Sequence, residues 1–201
     1  MKYLSKSQEQ MQPTLTLGYM NLIRDFGLLM LQLSFLTRTY IASVYSGFGD
    51  EAAVAERLYN LPNQFKAKAE LIFGAPLSEE FLALLSSYVL YIQSMAHAMK
   101  AGDQTTADHY VRLLYKNADD IAAQYAKMNP FWDEIRWRTL LFNYVNLVIQ
   151  DAIALGNRDF VKDLDIYDRM LLAALAMGDY QAEGFLLYLT ATRRDHIGKC
   201  E

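Results

Sequence analysis

The sequence predicts an all-α fold: a six-helix, up-and-down bundle built from three helical hairpins. Three observations carry that expectation. Long, nearly charge-free stretches run up to Gly49-Asp50, Gly102-Asp103 and Gly156-Asn157, spaced 53 and 54 residues apart. At each pair the glycine can take the left-handed backbone that stops one helix, and the Asp or Asn after it can cap the next. No segment alternates as a half-buried strand would, and no Asn-Gly hairpin turn occurs. The composition, 53% apolar against 21% charged, suits central helices that are apolar nearly all round.

The first helix is expected from about Leu15 to Ser46, with Gly18 and Gly27 as places where it could break; its middle, Phe26 to Thr37, is uncharged. The second follows Asp50, with Val54, Leu58, Leu61, Phe65, Ala69 and Ile72 at spacings of three and four. Pro62 predicts a kink or restart there, and Gly74 a stop. Ser78 reads as the N-cap of the third helix, with Glu79 and Glu80 set against the positive end of its dipole. Asp103 opens the fourth, whose stripe is Ala107, Tyr110, Leu114, Ala118, Ile121, Tyr125 and Met128.

Asn129-Pro130 reads as the entry to the fifth helix, with Asn as cap and Pro at the first helical position. The sixth starts near Asn157 and carries Phe160, Leu164, Tyr167, Leu171 and Leu175, with a break expected at Gly178-Asp179. Arg57-Leu58 through Phe65 can be laid on Leu113 to Ile121 at an offset of 56, a weak repeat. It fits either duplication or the shared demands of hairpin packing.

At 201 residues with no linker, the chain is one domain, with residues 1–14 and 190–201 as polar tails. A net charge of −4 offers no basic field for nucleic acid or anionic lipid. The single cysteine, Cys200, gives no disulfide framework, and the N-terminal MKYLSKSQEQMQPT lacks the apolar core of a signal peptide. A cytoplasmic location is therefore expected. Phe81 to Met99 carries no formal charge over 19 positions, enough to span a bilayer by length. Ser86, Ser87, Gln93, Ser94, His97 and Lys100 nevertheless mark a narrow polar stripe, which suits a bundle helix better than a lipid-facing one.

Catalytic signatures are missing. No Glu-x-x-His pair occurs, so the carboxylate-bridged metal sites of helical bundles have no sequence basis here. His97, His109 and His196 are the only histidines, and a His97–His109 pair across the Asp103 turn would lack a carboxylate. No phosphate-binding glycine loop and no Gly-x-Ser-x-Gly elbow are present, and Arg193-Arg194 is too short a basic cluster for nucleic acid. No cofactor and no metal are expected.

Four residues stand out as ligand-binding candidates. Arg38 ends the uncharged run of the first helix, and Asp168 flanks the apolar stripe of the sixth. A buried charge requires a partner, so an Arg38–Asp168 pair is expected, either to lock the two helices or to anchor a small polar ligand. Tyr88 and Tyr144 occupy similar places in the third and fifth helices and either fill core volume or line a pocket. Asn143, Asn146 and Gln150 form an uncharged polar row on the fifth helix.

The segments LIRDFGLLMLQLSFLTRTYIAS (22–43), RLYNLPNQF (57–65), NADDIAAQYAKMNPFW (117–132) and LDIYDRMLLAALAMGDYQAEGF (164–185) resemble an uncharacterised helical-bundle family of Gram-positive, largely clostridial and bacillar, bacteria. Its members are sometimes labelled acetylglutamate kinase, a label at odds with a chain that offers no strands. The resemblance implies histidines in the first, third and fifth helices with acidic neighbours, as in a ferritin-like metal or proton-transfer site. The matching positions here are Leu33, Tyr88 and Tyr144, with Leu31 as the neighbour, while Arg38 and Asp168 remain. The leading expectation is a soluble protein that binds a small ligand or another protein, with self-association compatible with its apolar content. A degenerate ferritin-like metal or redox enzyme and a membrane-associated helical protein are the alternatives.

Overall fold

The computed structural model describes the backbone of residues 17–197 and the side chains of residues 17–192. Among these it has six helices and no strand: α1 (Leu17–Ser46), α2 (Glu51–Phe73), α3 (Ala75–Ala101), α4 (Gln104–Met128), α5 (Glu134–Gly156) and α6 (Phe160–Ile197). Thr190 to Ile197, expected as tail, continue α6. The expectations for the N-terminal tail, Cys200 and the side chains of Arg193, Arg194 and His196 lie outside the described residues.

The three hairpins pack with approximate three-fold order. Helices α1, α3 and α5 touch one another and form the inner layer. Each even helix lies in a groove between two of them: α2 against α1 and α3, α4 against α3 and α5, α6 against α5 and α1. Each inner helix packs against four neighbours, which is why its sequence carries few charges, while one strip stays at the surface with Leu28 and Phe35 on α1, Leu90 on α3 and Ile153 on α5. α3 and α5 are long and apolar enough to cross a membrane by length and composition, and the same apolarity serves their inner position here.

Local chemistry explains most boundaries. Gly47, Gly49 and Gly102 have φ of 68°, 87° and 72°, so glycine does end the first and third helices in the left-handed region. Asp103 caps α4 by accepting the Thr106 N–H at 3.0 Å. The third turn departs from this pattern: Gly156 is the last residue of α5, and the left-handed conformation falls on Arg158, at φ 57°.

Four further expectations are corrected. Ser78 lies inside α3, its hydroxyl donating to the Gly74 carbonyl at 2.8 Å, because Pro76 in the first turn lets the helix begin at Ala75. Asn129-Pro130 belongs to the turn after α4, and Asp133 caps α5, its side chain accepting the Arg136 N–H at 2.7 Å. α2 is continuous through Pro62, whose ring packs with Leu61 beside Tyr88 and Val89 of α3. α1 and α6 are also unbroken at their glycines, and at Gly27 and Gly178 the reason is a helix crossing. A Cβ on Gly178 would lie 2.9 Å from the Gly27 Cα, so the two backbones meet where neither has a side chain.

The core stripes of α2 and α4 are as expected. That of α6 is rotated: Phe160 and Leu164 face outward, while Asp163, Ile166, Met170, Ala174, Met177, Gln181 and Phe185 are buried. The end of the bundle where the inner helices begin is closed by aromatic rings. Tyr125 stacks on Trp137 at 3.8 Å and Phe26 on Phe185 at 4.6 Å. The turn after α4 is fixed to α6 by Trp132 Nε1–H donating to the Tyr180 carbonyl and Asn129 Nδ2–H donating to the Gly184 carbonyl.

Candidate functional site

The opposite end is open. A cleft of about 720 Å³ lies among the C-terminal turns of α1 and α5, the turns that follow them and the start of α6. Its lining includes Arg38, Ser43, Tyr45, Phe48, Arg158, Phe160 and Asp163. The volume falls in the range of small-molecule sites, and aromatic rings with a few convergent polar groups are their usual lining.

The cleft meets a buried ion pair. Arg38 donates through Nε and Nη2 to Asp163 Oδ1 and Oδ2, at 3.0 and 2.5 Å. Asp163 is 1% exposed and Arg38 24%, so the carboxylate is sealed and the guanidinium reaches the cleft. The Asp163 hydrogen bonds raise the Arg38 pKa further, and the guanidinium stands 5.0 Å from the Tyr167 ring centroid. A two-point arginine–carboxylate geometry fixes direction as well as charge.

Below this pair lies Asp151, fully buried, with no protein donor on either carboxyl oxygen. Burial, then the neighbouring Asp163 carboxyl, push its pKa up to about 8, with Arg38 opposing. Asp151 therefore keeps its proton at neutral pH and can share it with Asp163. Such an acid is foreign to the packing. Counting back five residues from the last residue of each inner helix gives Ile41, Ala96 and Asp151, all completely buried. Two hairpins use hydrocarbon where the third uses a carboxyl group.

Further in, Tyr144 and Ser34 share a hydrogen bond at 2.9 Å, while Thr37 Oγ1 and Tyr88 OH lie buried without one of ordinary geometry. Burial raises the pKa of both phenols. The polar groups thus run from the bundle centre towards the cleft, through surroundings that are otherwise hydrocarbon.

The expected site residues separate. Arg38 is on the cleft. Tyr88 and Tyr144 converge with Leu33 on the bundle axis, where the space left among them is about 30 Å³, room for a water molecule or two. These are the positions at which the family resemblance implies histidine. Asp168 is exposed on α6, and the expected Arg38–Asp168 pair is replaced by Arg38–Asp163 because the buried stripe of α6 is rotated. Asn143 and Asn146 face outward. Sequence reasoning missed Asp163 and Asp151. The signal for Asp151 was an acid five residues before a helix end whose two counterparts are apolar.

His97 Nε2 lies 3.0 Å from Glu51 Oε1 and 3.1 Å from Tyr40 OH, and His109 packs against Tyr110. Among the described residues no three His, Cys, Asp or Glu side chains converge as metal ligands would. Compared with family models, with curated proteins and with solved structures, the chain finds no match.

Proposed function

We propose that this is a soluble, cytoplasmic, non-catalytic protein that binds a small molecule in the cleft between α1, α5 and α6. One observation carries the reading. One end of the bundle is locked by packed aromatic rings, whereas the other holds an open cleft of about 720 Å³ that reaches a buried arginine–carboxylate pair. A purely structural ion pair has no need of an adjoining cavity of ligand size. The pair supplies a fixed polar anchor, and Tyr45, Phe48 and Phe160 supply apolar surface around it.

The test is a fragment screen followed by amide and methyl NMR on the full chain. Binders are expected to perturb Arg38, Tyr45, Phe48, Arg158 and Phe160. A screen whose only hits map elsewhere would contradict the reading. Flotation with liposomes tests the soluble assignment, which predicts protein in the unfloated fraction.

Self-association is a second reading, favoured by the outward side chains of α1 and α6. Leu28, Phe35, Leu164 and Leu172 are each more than half exposed. Light scattering should then give a mass above that of the monomer, and a monomer at all concentrations would discard it.

A further inference from the structure

We infer that the ligand of the cleft is a small amphipathic acid, an aromatic or aliphatic body ending in a carboxylate or similar anion, taken up by Arg158 and the outward edge of Arg38. The inference rests on the cleft being a ligand site and names the class of ligand. Its first support is the charge arrangement. Four charged side chains line the cleft: Arg38, Arg158, Asp50 and Asp163. Asp163 is consumed by Arg38 through both its oxygens. Asp50 stands at the N-terminus of α2, where the helix dipole already compensates a carboxylate. Arg158 has neither compensation: it is exposed and forms no ion pair among the described residues.

The second support is backbone geometry. The left-handed residue is glycine at the first and second hairpin turns, yet at the third it is Arg158, at φ 57°. A long side chain in that region is uncommon and costs conformational energy, and such outliers gather at ligand clamps. The Arg158 and Asp159 N–H groups close the end of α5 on the Leu155 and Ala154 carbonyls, at 3.0 and 2.9 Å, and Arg158 lines the cleft together with Arg38. Two guanidinium groups beside one cavity make a site for an oxyanion, since each offers forked N–H donors. Ser43 adds a hydroxyl group, those of Thr39 and Ser46 already donating to the Phe35 and Ser43 carbonyls, while Ala42, Leu155, Phe48 and Phe160 leave the remainder of the cleft to an apolar body.

The experiment compares one body with three head groups. Phenylacetate, phenylacetamide and phenethylamine are titrated against the full chain, with affinities from NMR shifts of cleft residues, in wild type and in Arg158→Gln and Arg158→Lys. Phenylacetate should bind at least tenfold more tightly than the amide, and the amine most weakly. Arg158→Gln should abolish the preference for the acid, and Arg158→Lys should restore part of it. Equal or tighter binding of the amide or the amine would overturn the acid assignment and leave the ligand site standing. If none of the three perturbs the cleft residues at millimolar concentration, both the assignment and the site reading fail.

Discussion

Asp151 and Asp163 place two carboxyl groups side by side between α5 and α6, and only Asp163 has a cationic partner, Arg38. Asp151 holds its proton up to about pH 8, whereas its ordinary value is 3.8. Between those values the folded protein binds a proton that the unfolded chain releases. Its contribution to stability is therefore complete below about pH 4, declines as pH rises through 8, and is flat above.

Asp151→Asn should remove that dependence, since a carboxamide has no proton to lose and can donate to Asp163. Urea denaturation at pH 5, 7 and 9 is the measurement. Relative to wild type the variant should gain stability as pH rises from 5 to 9, by on the order of 1.4 kcal/mol for each pH unit up to about 8. A loss of stability that is uniform across pH would contradict the assignment.

Arg38 and Asp163 should be energetically coupled, and Arg38 and Asp168 should not. Removing either member of the buried pair leaves an uncompensated charge, so Arg38→Ala and Asp163→Ala should each cost roughly 3–5 kcal/mol. The double variant should cost far less than the sum. Asp168→Ala should change stability by no more than about 0.5 kcal/mol. A double-mutant cycle on both pairs checks this. Additivity for Arg38 with Asp163 would be inconsistent with the observed ion pair.

Gly184→Ala should disturb the closed end of the bundle. A Cβ there would fall 1.8 Å from Trp132 Nε1, so the indole must move and give up its bond to the Tyr180 carbonyl. A loss of about 3 kcal/mol or more is expected from combined overpacking and an unmet donor. Thermal denaturation and tryptophan fluorescence report it. An unchanged emission spectrum would mean that the indole is not held as described.

Gly156→Ala probes the open end. The added methyl group would sit 3.1 Å from the Tyr45 hydroxyl, and Gly156 has no positive φ to strain. Tyr45 lines the cleft, so its ring should shift there. Fragment affinity should change several-fold with stability altered by about 1 kcal/mol or less. A large loss of stability with unchanged affinity would place Tyr45 in the packing alone.

The hairpin architecture was legible because it is written in long apolar runs and in turn residues such as Gly102-Asp103, both local signals. The site was less legible for identifiable reasons. On α6 large apolar residues occupy both faces: Phe160 and Leu164 lie outside, while Ile166, Met170 and Met177 are buried alongside Asp163, Ala174 and Gly178. Apolar spacing alone therefore does not choose between the two stripes, and the outer one makes Asp168 look like the partner of Arg38. Glycines 27 and 178 look like breaks because only the tertiary crossing explains them. Asp151 gives no local sign of burial; its meaning appears once Ile41 and Ala96 are seen in the corresponding places of the other two hairpins.

On the proposed function, a small molecule sits in the cleft at the open end. A crystal structure of the full chain soaked with the tightest-binding fragment tests this most directly. The account predicts ligand density against Arg38, Tyr45, Arg158 and Phe160, with the Arg38–Asp163 pair intact beside it. Density for that fragment at another surface, with an empty cleft, would contradict it.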